Sequence, residues 1–83
     1  MASVPLTSLT AGSAGTVAAV APPRPGQDPE LVLRLIEIGF LPGEPVRVIA
    51  RGQPGDDPIA VRLGHTTFAL RRFEAAFVQV QGA

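Results

Sequence analysis

The sequence predicts an all-β fold with one short helix: a small barrel of about five strands, the helix lying between the first and second strands. Three observations carry this prediction. From Val46 onward, apolar and polar residues alternate with a period of two. A single segment, 29–38, combines helical spacing with start and stop signals. The connections are short and rich in Gly and Pro, as tight turns between antiparallel strands require. Short half-buried strands close most readily into a barrel, which hides their edges. The helix then plugs one open end.

Residues 1–13 read as a lead-in, with Val4, Leu6 and Leu9 its large apolar residues. The first strand spans Ala14 to Val20, where Val and Thr supply the β-signal. Pro22-Pro23-Arg24-Pro25-Gly26-Gln27 is a stiff, exposed loop, because its prolines cannot donate to a ladder. Asp28-Pro29 is an N-cap followed by Pro at the first helical position. Leu31, Leu35 and Ile38 then form one apolar stripe, which Val32 and Ile36 widen. Glu30 and Arg34 stand at i, i+4 on the outer face, in the favourable order. Gly39 suits the left-handed position after the helix, and Phe40 can fold back on Leu35.

Leu41-Pro42-Gly43-Glu44 has the composition of a type II turn. In the next strand Val46, Val48 and Ala50 face one way, and Arg47, Ile49 and Arg51 the other. Gly52 to Pro58 is a loop. Ile59, Val61 and Leu63 alternate with Ala60 and Arg62, and Gly64-His65 is the turn of a hairpin. Thr66, Phe68 and Leu70 form the inward face of the returning strand. Arg71 to Ala76 is a turn or a single helical turn. Phe77 to Gln81 is the last strand, in which Val78 and Val80 alternate with the polar Gln79 and Gln81. The whole of 1–83 reads as one domain, with 1–4 and 81–83 as loose ends.

Composition excludes whole classes of chemistry. The chain has no Cys, Lys, Trp or Tyr and one His. Without Cys there is no disulfide framework, zinc finger or thiol nucleophile. Seven Arg balance seven Asp plus Glu, which argues against nucleic acid and against an anionic membrane surface as partners. Val, Leu, Ile and Phe number 25 of 83, about 30%, above the roughly 20% below which disorder is expected. Residues 1–23 carry no Arg or Lys, so a secretory signal's positive start is missing. No apolar run approaches the roughly 18–20 residues of a membrane span. The expected location is the cytoplasm, with no insertion into the membrane.

Few residues could carry chemistry. His65 sits in a hairpin turn, where it reads as a solvated loop tip rather than a general base. Asp56-Asp57 falls far short of a hard cation's ligand count, and Asp before Pro is ordinary turn chemistry. Gly52-x-x-Gly55 lacks the rest of a phosphate-binding loop, and no serine stands in a nucleophile elbow. Phe68 and Phe77 face inward by alternation, so no stacking platform for bases is offered. Arg71-Arg72 is the one adjacent cationic pair, and its guanidiniums suit an acidic or phosphate contact as well as pairing with Glu74. No catalytic residue, metal site or cofactor site is predicted.

A series of segments then becomes specific, the blocks Arg34–Gly43 and Ala69–Ala75 above all. Pro5-Leu6-x-x-Leu9-x-x-Gly12-x-x-Gly15-x-Val17 opens the chain, and Arg34-Leu35-Ile36-Glu37-Ile38-Gly39-Phe40-Leu41-Pro42-Gly43 follows. Phe68-Ala69-Leu70-Arg71-Arg72-x-Glu74-Ala75 comes later, before Val78-x-Val80. In this order and at this length the sequence resembles the FeoA family, small SH3-like accessory proteins of bacterial ferrous iron transport. The resemblance runs from residue 5 to about residue 80. It implies an SH3-like barrel and a non-enzymatic adaptor that binds the cytoplasmic part of FeoB, the iron permease with a GTP-binding domain. The expected contact surface joins the helix end and following turn (Arg34, Glu37, Phe40, Leu41, Pro42) to Arg71 and Arg72. The resemblance brings no Cys or His iron site onto matching positions, and the proline-rich loop 22–27 departs from the family's usual pattern. Related domains close metal-dependent repressors, so the alternative is a metal- or ligand-responsive regulatory domain. A homo-oligomer is compatible with either reading. The absence of a helix-turn-helix disfavours a free-standing repressor.

Overall fold

A computed structural model describes residues 3–52, 55 and 57–82; Asp56, half of the acidic pair, lies outside them. The elements in chain order are β1 (Val4–Pro5), a 3-10 turn (Leu6–Ser8), β2 (Ala14–Val20), α1 (Pro29–Ile38), β3 (Pro45–Arg51), β4 (Ile59–Leu63), β5 (Thr66–Leu70), α2 (Arg72–Ala75) and β6 (Val78–Gly82). All pairings are antiparallel, in the order β1-β6-β2-β3-β4-β5. Among the described residues the sheet therefore has six strands, not five, with α1 between the second and third. It is open rather than closed into a barrel: β1 and β5 are its edges and do not pair with each other.

The added strand comes from the segment expected to be a lead-in. Val4 pairs with Val80 and Pro5 with Gln79. This delivers Leu6 into the core, where it is fully buried. Gln81 and Gly82, expected at a loose end, continue β6 alongside β2. Two residues of strand leave no alternation to read, which is why the lead-in looked structureless.

Helix α1 has the predicted bounds and both predicted ends. Asp28 Oδ1 accepts the Glu30 N–H at 2.9 Å. At the other end Phe40 N–H donates to Leu35 O at 3.2 Å and Gly39 N–H to Ile36 O at 3.1 Å, the Schellman pattern. Gly39 supplies the positive φ of 127° that the pattern needs. The buried stripe is narrower than expected. Val32 and Leu35 are buried and Leu31 and Ile38 half-buried, but Ile36 is exposed.

The turn at Leu41–Glu44 closes with Glu44 N–H donating to Leu41 O at 3.1 Å. Gly43 N–H to Val17 O and Val17 N–H to Glu44 O, both 2.8 Å, fasten it to β2. Strand β3 breaks its predicted alternation. Its register against β4 shifts between Val48 and Ala50, so Arg51 pairs with buried Ile59. A bulge re-aims the residues beyond it. Ala50 is thereby exposed, and the Arg51 guanidinium turns inward to donate to the Thr7 and Leu9 carbonyls. The start of β2 lies against β6: a Cβ on Gly15 would stand 2.6 Å from Gln81 O. Only glycine permits that approach.

The core comprises Leu6, Val17, Leu35, Phe40, Val46, Val48, Ile59, Val61, Leu63, Leu70, Ala75, Val78 and Val80. Its members on β3, β4 and β6 fall on the faces that the alternation groups together. On β5 only Leu70 is buried: Phe68 is half-buried, and Thr66, expected inward, is exposed where it closes the hairpin turn at the end of an edge strand. Among the described residues no helix is long and apolar enough to cross a membrane.

Candidate functional site

The short helix α2 is tied to α1 through one carboxylate. Glu74 is buried in a surface turn, at 7% exposure. Its Oε1 accepts the Arg71 N–H at 2.8 Å, reaching back over the start of α2 as the acidic half of a capping box does. Its Oε2 accepts from the Arg34 guanidinium on α1. A buried carboxylate needs such partners to offset its lost hydration. The predicted Glu30–Arg34 pair is replaced by this one, because Glu74 offers a less hydrated partner across the helix–helix cleft than Glu30 does on the open face.

This pairing shapes the surface beside it. A cleft of about 520 Å³ is lined by Asp28, Glu30, Leu31, Leu33, Arg34, Glu37, Phe73 and Glu74. Leu33 and Phe73 present apolar surface to it, at 54% and 63% exposure. Asp28, Glu30 and Glu37 give it an acidic rim, while Arg34 is engaged by Glu74. A second cleft, also about 520 Å³, lies on the other side of Phe73, against the proline-rich loop; Ala21, Pro22, Arg24, Gln27 and Phe77 line it. The loop closes on itself, Arg24 N–H donating to Gln27 Oε1 at 2.7 Å and Gln27 N–H to Arg24 O at 2.9 Å. Phe73 is thus a ridge between two hollows.

The predicted surface residues do not all meet. Arg34 and Glu37 line the α1–α2 cleft. Phe40 does not belong to any surface: it is 1% exposed and its ring centroid lies 6.5 Å from that of Phe68. The Schellman turn that ends α1 folds it into the core. Leu41 and Pro42 are exposed on the next turn, outside the lining of either cleft. Arg71 and Arg72 face the β3–β4 loop. Arg71 Nη1 lies 3.8 Å from Asp57 Oδ1, which also accepts the Arg72 N–H at 3.1 Å.

Sequence reasoning missed Leu33 and Phe73. Each carries a usable signal. Leu33 is a large apolar residue out of phase with the stripe of α1, and Phe73 is an aromatic residue between Arg72 and Glu74 in a charged turn. His65 is exposed in the β4–β5 turn, as expected. Among the described residues no three His, Asp or Glu side chains converge as metal ligands.

The FeoA domain model matches residues 4–82. The chain belongs to the FeoA family. A crystal structure of Stenotrophomonas maltophilia FeoA complexed with zinc, described as an SH3 domain protein and a candidate ferrous iron transport activating factor, is 36% identical. The match covers 94% of this chain and 89% of that one, with a TM-score of 0.82. The FeoA-like protein of Clostridium acetobutylicum shares the fold at 22% identity and a TM-score of 0.83, over 99% of this chain and 88% of that one. A manganese-dependent transcriptional repressor matches at 25% identity and a TM-score of 0.80, over 98% of this chain and 42% of the repressor. No curated protein matches the chain in sequence. The fold is accordingly SH3-like, and the FeoA family is one of accessory factors of ferrous iron transport.

Proposed function

We propose that this FeoA-family protein is a non-enzymatic adaptor of ferrous iron uptake. It works in the cytoplasm, binds the cytoplasmic part of a FeoB-type permease, and modulates the permease's assembly or its GTPase-linked transport. The observation that carries this reading is Phe73, a phenylalanine left 63% exposed beside an acid-rimmed cleft. Exposed aromatic side chains flanked by concave surface are typical anchors of protein interfaces. The acidic rim selects a segment with an apolar centre and basic flanks. Arg34, Glu37, Leu33 and Phe73 are assigned to this contact. Arg71, Arg72, Leu41 and Pro42 lie beyond the lining of the cleft and are assigned to its periphery.

Calorimetric titration of the chain with the permease's soluble cytoplasmic domain tests the reading. Saturable binding that Phe73→Glu abolishes is expected. No binding, or binding indifferent to Phe73→Glu, refutes it. A second reading is favoured by the likeness to the manganese-dependent repressor, which spans 98% of this chain. In that reading the domain responds to a metal or ligand directly, and saturable micromolar binding of Fe²⁺ or Mn²⁺ distinguishes it.

A further inference from the structure

The two edges of the sheet are built differently. Strand β1 offers two residues, one of them Pro5, which has no N–H to donate. Strand β5 offers five, Thr66-Thr67-Phe68-Ala69-Leu70, with no charge and no Pro. Its register against β4 runs without a bulge. Charges, prolines, bulges and shortness are the usual guards of an edge strand. The β1 edge has two of them and the β5 edge has none.

The free groups on β5 follow from its hairpin. A two-residue turn at Gly64–His65 makes Leu63 and Thr66 the closing, hydrogen-bonded pair. By alternation Phe68 and Leu70 also bond back to β4, so the N–H and C=O of Thr67 and Ala69 point to the open edge. Both residues are exposed, and among the described residues no other backbone group reaches them.

We propose that this edge joins two copies of the chain, β5 against β5, antiparallel about a two-fold axis through Phe68. Thr67 of each copy then stands opposite Ala69 of the other, and each such pair exchanges both its N–H···O bonds. Half-buried Phe68 meets its own counterpart at the central non-bonded pair, where side chains approach most closely. The stretch is self-complementary because its free groups are spaced evenly about residue 68. It sets no like charges against each other: Thr66 faces Leu70, and just outside, His65 faces Arg71. Such an edge makes an isologous contact, which closes at a dimer. The inference is independent of the permease reading and uses the opposite kind of surface, backbone rather than side chain.

Sedimentation equilibrium of the full chain tests it, up to about 1 mM because a contact of this size is weak. A reversible monomer–dimer equilibrium is expected. Thr67→Lys combined with Ala69→Lys puts like charges opposite each other and should weaken it at least about tenfold. Both positions are exposed, and circular dichroism checks that the fold survives. Mixing that variant with one carrying Thr67→Glu and Ala69→Glu should restore pairing as a heterodimer. A monomer at every concentration overturns the proposal. So does a lysine variant that dimerises like the parent, a mixture that fails to pair, or an association lost in Phe73→Ala, which moves the contact to the helices.

Discussion

Phe40 and Phe73 each sit at a helical turn, yet one is 1% exposed and the other 63%. Phe40 follows α1, where the Schellman hydrogen bonds fix the exit direction of the chain and drive the ring into the core. Phe73 lies in α2, a helix of four residues of which only Glu74 and Ala75 are buried. The carboxylate takes the inward position because it must meet the Arg71 N–H and the Arg34 guanidinium. The aromatic side chain is left outside. Backbone motif and hydrogen-bond demand decide which phenylalanine builds the protein and which is available to a partner; hydrophobicity alone does not.

The sharpest way to break this contrast is to truncate both rings. Phe40→Ala removes a fully buried aromatic side chain and should cost about 3–5 kcal/mol. For 83 residues the whole stability is roughly 4–12 kcal/mol. Urea titration should therefore show a chain that has lost a large share of its stability. A small change in midpoint would contradict the burial of Phe40.

The inward residues of β4 and β6 and the full extent of α1 were legible because each repeats a signal: alternation for the strands, caps and stripe for the helix. Three features were not. β1 is too short to alternate. The bulge after Val48 turns Arg51 toward the carbonyls of Thr7 and Leu9, partners more than 40 residues back in the chain. The pairing of Arg34 with Glu74 likewise spans 40 residues. Arg34 and Glu37, named for the contact surface from the motif, line the α1–α2 cleft. Phe40, named with them, is buried because the same Schellman turn that lets it fold back on Leu35 carries it into the core. Leu33 and Phe73 break the local pattern, and each is an apolar side chain left exposed on the surface.

Glu74→Ala should come second in magnitude. It leaves the Arg71 N–H without its partner and unties α2 from α1, for about 1–3 kcal/mol. Arg34→Ala removes a mostly exposed guanidinium and should cost no more than about 1 kcal/mol. Thermal unfolding of the two single variants and the double gives the coupling directly. Additive losses would mean that the ion pair does not hold the cleft in shape. Asp28→Ala follows at about 1 kcal/mol, the usual worth of an N-cap. The same measurement checks it, and because Asp28 also lines both clefts, its loss should weaken partner binding modestly.

Phe73→Ala has the smallest expected effect on folding and the largest on binding. An exposed side chain outside the core should change stability by no more than about 0.5 kcal/mol. An interface anchor of this type is worth about 2 kcal/mol or more, roughly a thirtyfold loss of affinity for the permease's cytoplasmic domain. Unfolding and binding measured on one preparation separate the two. If Phe73→Ala lowers stability as Phe40→Ala does, the ring is structural and the contrast fails. If it changes neither, the face between the helices is not where the partner binds. Only stable folding with impaired binding keeps the division of labour between the buried ring after α1 and the exposed ring on α2.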